Sequence, residues 1–287
     1  MTTHTLSTDG AELVYDVNGP LPPADNRPPL LLVGQPMDAS GFRALVAGLP
    51  DRTTVTYDPR GLGRSVRTDG RTDHDPVQQA EDLHQLVEAL GAGPVELFAS
   101  SGGAVTALAL VAAHPGDVRT LVAHEPPLIG LLPDADAAVR ANEAVRAAYT
   151  SSGFGAGMAA FIAMTSWQGP FTEEFLARAP ADPAALGLPT EDDGSRDDPL
   201  LSDRSDAVVG FRPDVAALTA APTRVVVAVG EESVDVLTGR TSAATAELLG
   251  QQVTVFPSHH GGFVGGEHGY AGQPEAFARR LEEVLGA

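Results

Sequence analysis

Cysteine is absent from the 287 residues, which excludes disulfides, thiolate metal sites and a cysteine nucleophile. Lysine is absent too, since all 18 basic residues are arginine, and Schiff-base or pyridoxal chemistry therefore has no side-chain amine to use. Against 38 acidic residues the formal net charge is -20, so a nucleic-acid backbone or an anionic membrane is repelled unless a basic patch intervenes, and the sequence shows no such patch. Long apolar runs are also missing. The longest, Ala104 to Ala113, broken only by Thr106, is about half of the roughly 20 residues that a membrane span needs. The amino terminus, MTTHTLSTDG, lacks the basic and apolar regions of an export signal, so a soluble cytoplasmic protein is expected. No internal repeat and no long low-complexity tract interrupts the chain.

What is present suits a real core: 43% of residues are hydrophobic, in a chain long enough for one large α/β domain with an insertion or for two modest domains. Thr8-Asp9-Gly10 separates two candidate strands, His4 to Ser7 and Ala11 to Val17, as an opening hairpin. Asn18 to Pro29 holds five prolines in twelve residues and reads as a surface connection. Leu30 to Val33 is a buried strand running into Gly34-Gln35-Pro36-Met37, followed by a helical segment near Ser40 to Leu49. Thr53 to Tyr57 is the next strand, and it leads into Asp58-Pro59-Arg60-Gly61-Leu62-Gly63-Arg64-Ser65, where Asp58 and Arg60 are read as turn-stabilising residues. An amphipathic helix from about Asp75 to Leu90 comes before the strand of Val95, Leu97 and Phe98.

At that point Ala99-Ser100-Ser101-Gly102-Gly103 joins the strand to an Ala- and Leu-rich helix that ends at His114. So short a turn folds back sharply, and small residues leave room for neighbouring chain. Ser101 falls at the apex beside the electropositive amino end of the helix, a place suited to stabilising an oxyanion. A serine in a glycine-rich turn without chemistry is the plain alternative. Beyond it, Val118 to Ala123 is a strand closing on His124-Glu125-Pro126-Pro127. From Leu128 to about Arg212 the alternation stops, with a mostly helical stretch and an irregular, mobile linker at Pro180 to Asp206. It resumes with Thr223 to Val229, Thr238 to Leu249, Gln251 to Phe256 and Gln273 to Leu285 as strand, helix, strand and helix.

Strands and helices at this spacing predict a parallel sheet covered on both faces. The small-x-Ser-x-Gly turn, the DPRGLGRS loop and the order of elements resemble the α/β-hydrolase family over nearly the whole chain outside the helical stretch. The resemblance implies a mostly parallel eight-stranded sheet formed by residues 1–127 and 213–287, with residues 128–212 as a helical cap. It also implies a serine hydrolase for a small-molecule ester, lactone or thioester with an apolar moiety, acting without a cofactor.

Within it Ser101 is the nucleophile, and its imidazole partner comes from Pro257-Ser258-His259-His260-Gly261-Gly262-Phe263, where His260 gives the family's His-x-Gly-Phe. A metal site from the paired histidines with Glu267 and His268 is the alternative, though no recognised ligand spacing is present. The triad acid is ambiguous. The usual place, three residues after Gly230, holds Ser233, which leaves Glu232, Asp235 or, from the preceding strand end, Glu125, a location that certain haloalkane dehalogenases use. Glu125 is favoured because strand carboxyl ends converge on the site and the two following prolines hold the backbone extended. The backbone N–H groups of Gln35 and Gly102 are the expected oxyanion donors, Val33 standing where the family carries a histidine. Among the aromatic and methionine residues, Met37, Phe161 and Trp167 are expected to line the pocket. Perhydrolase or C–C hydrolase chemistry fits the same triad, and a non-catalytic ligand-binding scaffold is the rival from another class. Assembly into identical copies is compatible with the sequence.

Overall fold

The two strands whose side chains are apolar toward both faces lie next to each other in the middle of the sheet, where helices must cover them twice. They are β3 and β6 in the structure, a computed structural model that describes residues 1–25, 27–266 and 270–287. The chain opens with the antiparallel hairpin β1 (Thr2–Thr8) and β2 (Ala11–Asn18). It continues through β3 (Leu30–Gln35), α1 (Arg43–Ala47), β4 (Thr54–Tyr57), the two-residue β5 (Val66–Arg67), α2 (Pro76–Leu90), β6 (Val95–Ser101), α3 (Gly102–Ala113) and β7 (Val118–His124). A helical insertion follows, with α4 (Ala135–Thr165), α5 (Glu173–Leu176), α6 (Asp206–Val209) and α7 (Val215–Ala220). The chain then returns to the sheet with β8 (Arg224–Gly230), α8 (Leu237–Leu248), β9 (Thr254–Phe256) and α9 (Pro274–Leu285).

The strand order is β1-β2-β4-β3-β6-β7-β8-β9, with β2 antiparallel to β1 and β4 and every later pairing parallel. These eight strands are the expected sheet, and β5 adds a short antiparallel pairing to the edge of β2. The chain leaves β3 to one side and comes back as β6 on the other, so their carboxyl ends border the crevice where open α/β sheets bind ligands. Side chains alternate between two cores: Leu31, Val33, Leu97 and Leu121 pack toward α2 and α3, and Leu30, Leu32, Phe98 and Val122 pack toward α1 and α9. α2 starts where Asp75 caps the Val77 N–H with Pro76 in the first turn, and α3 is apolar all round because the sheet, α2 and α7 enclose it.

Some expected elements come out differently. The helix expected over Ser40 to Leu49 splits into a tight turn, Ala39–Phe42, and the short α1. The last strand begins at Thr254, since the Gln251 side chain rather than its backbone meets Val227 N–H (3.4 Å). Asp58 does brace its loop, accepting from Ala39 N–H (2.9 Å) and from Arg64 N–H (2.8 Å), which fixes the chain just after Gln35. Arg60 instead reaches out of the turn to grip Asp82 of α2 through two 2.6 Å bonds, both side chains being buried.

The insertion has a core of its own around Ile129, Tyr149, Met164, Phe171 and Leu201, while Leu218 of α7 packs with the main core. α4 is two helices meeting at Gly153, whose φ of 81° and ψ of -170° are open to glycine alone. Among the described residues no helix is long and apolar enough to cross a membrane.

Candidate active site

Ser101 ends β6 and opens α3 with φ 58° and ψ -129°, a conformation that a residue bearing a Cβ adopts only when its surroundings impose it. Those surroundings are the turn's close approach to β3. A Cβ on Gly103 would stand 2.7 Å from the Val33 carbonyl oxygen, so glycine is the residue that fits. Gln35 pairs with Ser101 across the β3–β6 ladder, which sets the Gln35 backbone and the first turn of α3 on two sides of the serine. Among the described residues no side chain caps α3, and the first N–H groups of a helix have no partner within it.

Glu125 follows β7 with φ 50° and is fully buried. Its Oε1 accepts from Gly230 N–H (2.8 Å), and its Oε2 from the Thr238 hydroxyl and from His260 Nδ1 (2.6 Å). Burial pushes this carboxyl's pKa up, but the facing His260, together with the hydrogen bonds from it and from Thr238, outweighs burial and holds it well below the usual carboxylate range. The paired histidines are thereby distinguished: His260 faces Glu125, while His259 stacks on Tyr270 at 3.7 Å and engages the Ala271 carbonyl and Gly261 N–H. Glu232 lies on the cavity wall, exposed, with its backbone bonded to Ser258, and among the described residues its carboxylate makes no hydrogen bond to His260. Asp235 is exposed and outside the cavity lining, bonded through its carbonyl to Gly169 N–H.

Ser101, Gly102, Gln35 and His260 form the floor of a cavity of about 710 Å³ between sheet and insertion. Ser101 and His260 share that floor without a hydrogen bond between them, a spacing that closes in many enzymes only when substrate binds. The walls are mostly apolar: Ile129, Val145, Met158, Phe161, Ile162, Leu201, Val208 and Leu237. Phe161 is among these walls, whereas Met37 and Trp167, expected beside it, lie outside the cavity lining. Met37 fills the space over Gly34 and Gly41 against Phe42, and Trp167 packs on Phe175 beneath Arg178, so both serve packing.

Sequence reasoning missed the pair behind Glu125 and Ser101. His124 and Ser100, register partners on β7 and β6, are buried with Nδ1 and Oγ 3.0 Å apart. Burial pushes the His124 pKa down to about 4, with Glu125 opposing and His260 assisting, so its imidazole is neutral. The adjacency of His124 to Glu125 was the signal, but only register places Ser100 beside it. As for metals, Glu267 and His268 lie outside the described residues. The cluster His84, His114 and Asp117, at the far end of α3, brings ligand atoms within 4.8 Å of one another. Its two rings are stacked 3.7 Å apart at 7°, so their lone pairs lie in parallel planes, a poor arrangement for converging on one ion.

Comparison with known proteins agrees with this architecture. A sequence model of the alpha/beta hydrolase fold matches residues 28–187, more than half the chain. Uncharacterized hydrolase YraK of Bacillus subtilis (strain 168) is 26% identical over 287 residues, 98% of this chain and 95% of that protein. In three dimensions the chain is similar to a thermophilic esterase from Thermogutta terrifontis, with TM-score 0.63, 22% identity, and coverage of 99% of this chain and 98% of that one. It is similar also to the enol-lactonase from Burkholderia xenovorans LB400, with TM-score 0.65, 18% identity, and coverage of 99% and 100%. At such identities the solved structures speak to the fold, and together with the sequence match over more than half its length they mean that this chain belongs to the alpha/beta hydrolase fold family.

Proposed function

We infer that the protein is a serine hydrolase that cleaves a carboxylic ester, lactone or thioester with an apolar moiety through an acyl-enzyme on Ser101. The observation that carries this reading is the 2.6 Å contact between His260 Nδ1 and a fully buried Glu125 carboxylate, under a cavity floor that holds a serine in a strained turn. A serine hydroxyl attacks a carbonyl only as its proton leaves, and a neutral imidazole with its Nδ1–H engaged by a carboxylate presents Nε2 as the acceptor. In this mechanism Ser101 Oγ bonds to the carbonyl carbon, His260 Nε2 takes the proton, and the backbone N–H groups of Gln35 and Gly102 hold the oxyanion. His260 then returns the proton to the leaving oxygen or sulfur, and water repeats the sequence to free the acid. Glu125 stays ionised and stabilises the imidazolium. The steps need no cofactor, and the apolar walls around Phe161 favour an apolar acyl or alkyl chain.

That relatives in the fold include an esterase and an enol-lactonase supports the reaction class. A fluorophosphonate probe with a panel of p-nitrophenyl esters of increasing chain length tests the reading: Ser101 is labelled, and turnover rises with chain length until the cavity is full. Absence of labelling and of turnover across the panel would favour instead a ligand-binding scaffold, for which Val33 and Ser233 at the family's usual histidine and acid positions are the grounds.

A further inference from the structure

Glu125 lies between two imidazoles, and the mechanism above uses only one. On its other side His124 Nε2 stands 3.7 Å from Glu125 Oε1 and, among the described residues, has no hydrogen-bond partner, although the ring is completely buried. The rest of its surroundings are aromatic: Phe256 from β9, Phe263 from the loop after it and Phe277 from α9 meet the ring edge to face, and Phe98 of β6 lies tilted against it. The titratable groups facing it are Glu125 itself and His260, whose ring lies 6.0 Å away at an interplanar angle of 22°.

A neutral imidazole carries one N–H, and here the two tautomers differ sharply. With the proton on Nδ1, a lone pair on Nε2 would face a carboxylate in an apolar box, and the Ser100 hydroxyl would lose the acceptor it has 3.0 Å away. With the proton on Nε2, Ser100 O–H donates to Nδ1 and the Nε2–H dipole points at the charge on Glu125.

We propose that His124, locked by Ser100 as its Nε2–H tautomer, is a positioning residue that holds the Glu125 carboxylate ionised and aimed at His260. The inference rests on the triad reading given above. By favouring the charged form of Glu125, His124 keeps that carboxylate from being protonated, so the support it gives the general base survives to lower pH.

The test compares pH profiles of kcat/KM for wild type, Glu125→Gln, His124→Phe and Ser100→Ala on a p-nitrophenyl ester. Active enzyme is counted by phosphonate titration, so that misfolded protein does not enter the rate. Phenylalanine matches the aromatic box but lacks the dipole, so in His124→Phe the pH at which activity falls on the acid side moves up by about half a unit or more. Ser100→Ala, which frees the tautomer, moves it the same way by less. The other titratable or charged groups of the cavity wall, Arg146, Asp206, Glu232, His259 and Tyr270, are unchanged across the series and cancel in the comparison. A Glu125→Gln enzyme at full rate overturns the triad reading and this inference together. An impaired Glu125→Gln with an unmoved acid side in a folded His124→Phe overturns this inference alone. Should His124→Phe not fold, the imidazole ¹⁵N shifts of His124 in the wild-type protein decide: a protonated Nε2 with an unprotonated Nδ1 is expected, and the opposite tautomer overturns the proposal.

Discussion

The ends of β7 and β8 lie side by side at the same cavity, and each offers a glutamate to the imidazole of His260. At β7 the carboxylate of Glu125 is buried and accepts three hydrogen bonds; at β8 that of Glu232 is exposed and, among the described residues, accepts none. The β8 side has instead become a donor, supplying Gly230 N–H and, from the first turn of the following helix, the Thr238 hydroxyl. A carboxylate suits an imidazolium when it is dry, charged and fixed, and burial achieves the first only if enough donors keep the charge from being lost as a proton. Which strand end carries the acid matters less than which one the neighbouring strand can hold in place.

Five measurements break or sharpen that contrast. Removing the apex that both strand ends serve, with Ser101→Ala, abolishes phosphonate labelling and lowers esterase turnover about ten-thousandfold or more. The labelled peptide is identified by mass spectrometry, and a label moved to Ser100 would displace the nucleophile by one residue. Next, Glu125→Gln keeps the shape but removes the charge, and turnover falls about a hundredfold to ten-thousandfold. Third, the burial behind Glu125 shows in stability. Burial lowers the His124 pKa from its ordinary 6.5 to about 4 in the folded state, so between these values the unfolded chain binds a proton that the folded one does not. Stability is therefore whole above pH 6.5 and falls as pH drops toward 4, by at most about 3 kcal/mol, and urea unfolding of His124→Phe lacks this part of the decline. Fourth, Thr238→Val takes one donor from the β8 side and costs about tenfold in turnover. Smallest, Glu232→Gln costs less than about tenfold, since an exposed carboxylate contributes little to orienting His260; a loss as deep as that of Glu125→Gln would hand the role to β8.

The fold was legible because its signals are local. An apolar run, a glycine-rich turn and a helix at Val95 to Ala113 describe the elbow without reference to the rest of the chain, and the same holds for Asp75-Pro76 at the start of α2. Ser101, His260 and Glu125 are found together because each follows a strand and all parallel strands end on one side. Side-chain surroundings are another matter. Met37 and Trp167 have pocket-like chemistry, yet Met37 is drawn into a gap left by two glycines and Trp167 onto a neighbouring phenylalanine and arginine. The bond between Ser100 and His124 depends on the β6–β7 register, and the donors to Glu125 come from residues more than a hundred positions away, so neither leaves a periodic trace.

The break at Gly153 divides labour along α4. A Cβ there would come within 2.5 Å of the Asp192 carboxylate, which Arg196 holds in turn, so the hinge point is fixed by the chain segment docked against it. Downstream of it, Met158, Phe161, Ile162 and Thr165 roof the cavity and touch none of the residues assigned to the chemistry through a hydrogen bond. Under the proposed function, substrate range is thus an adjustable part mounted on a fixed joint. A library confined to those four positions can reshape the chamber for longer, branched or more polar chains while the elbow, the imidazole and its carboxylate keep their places.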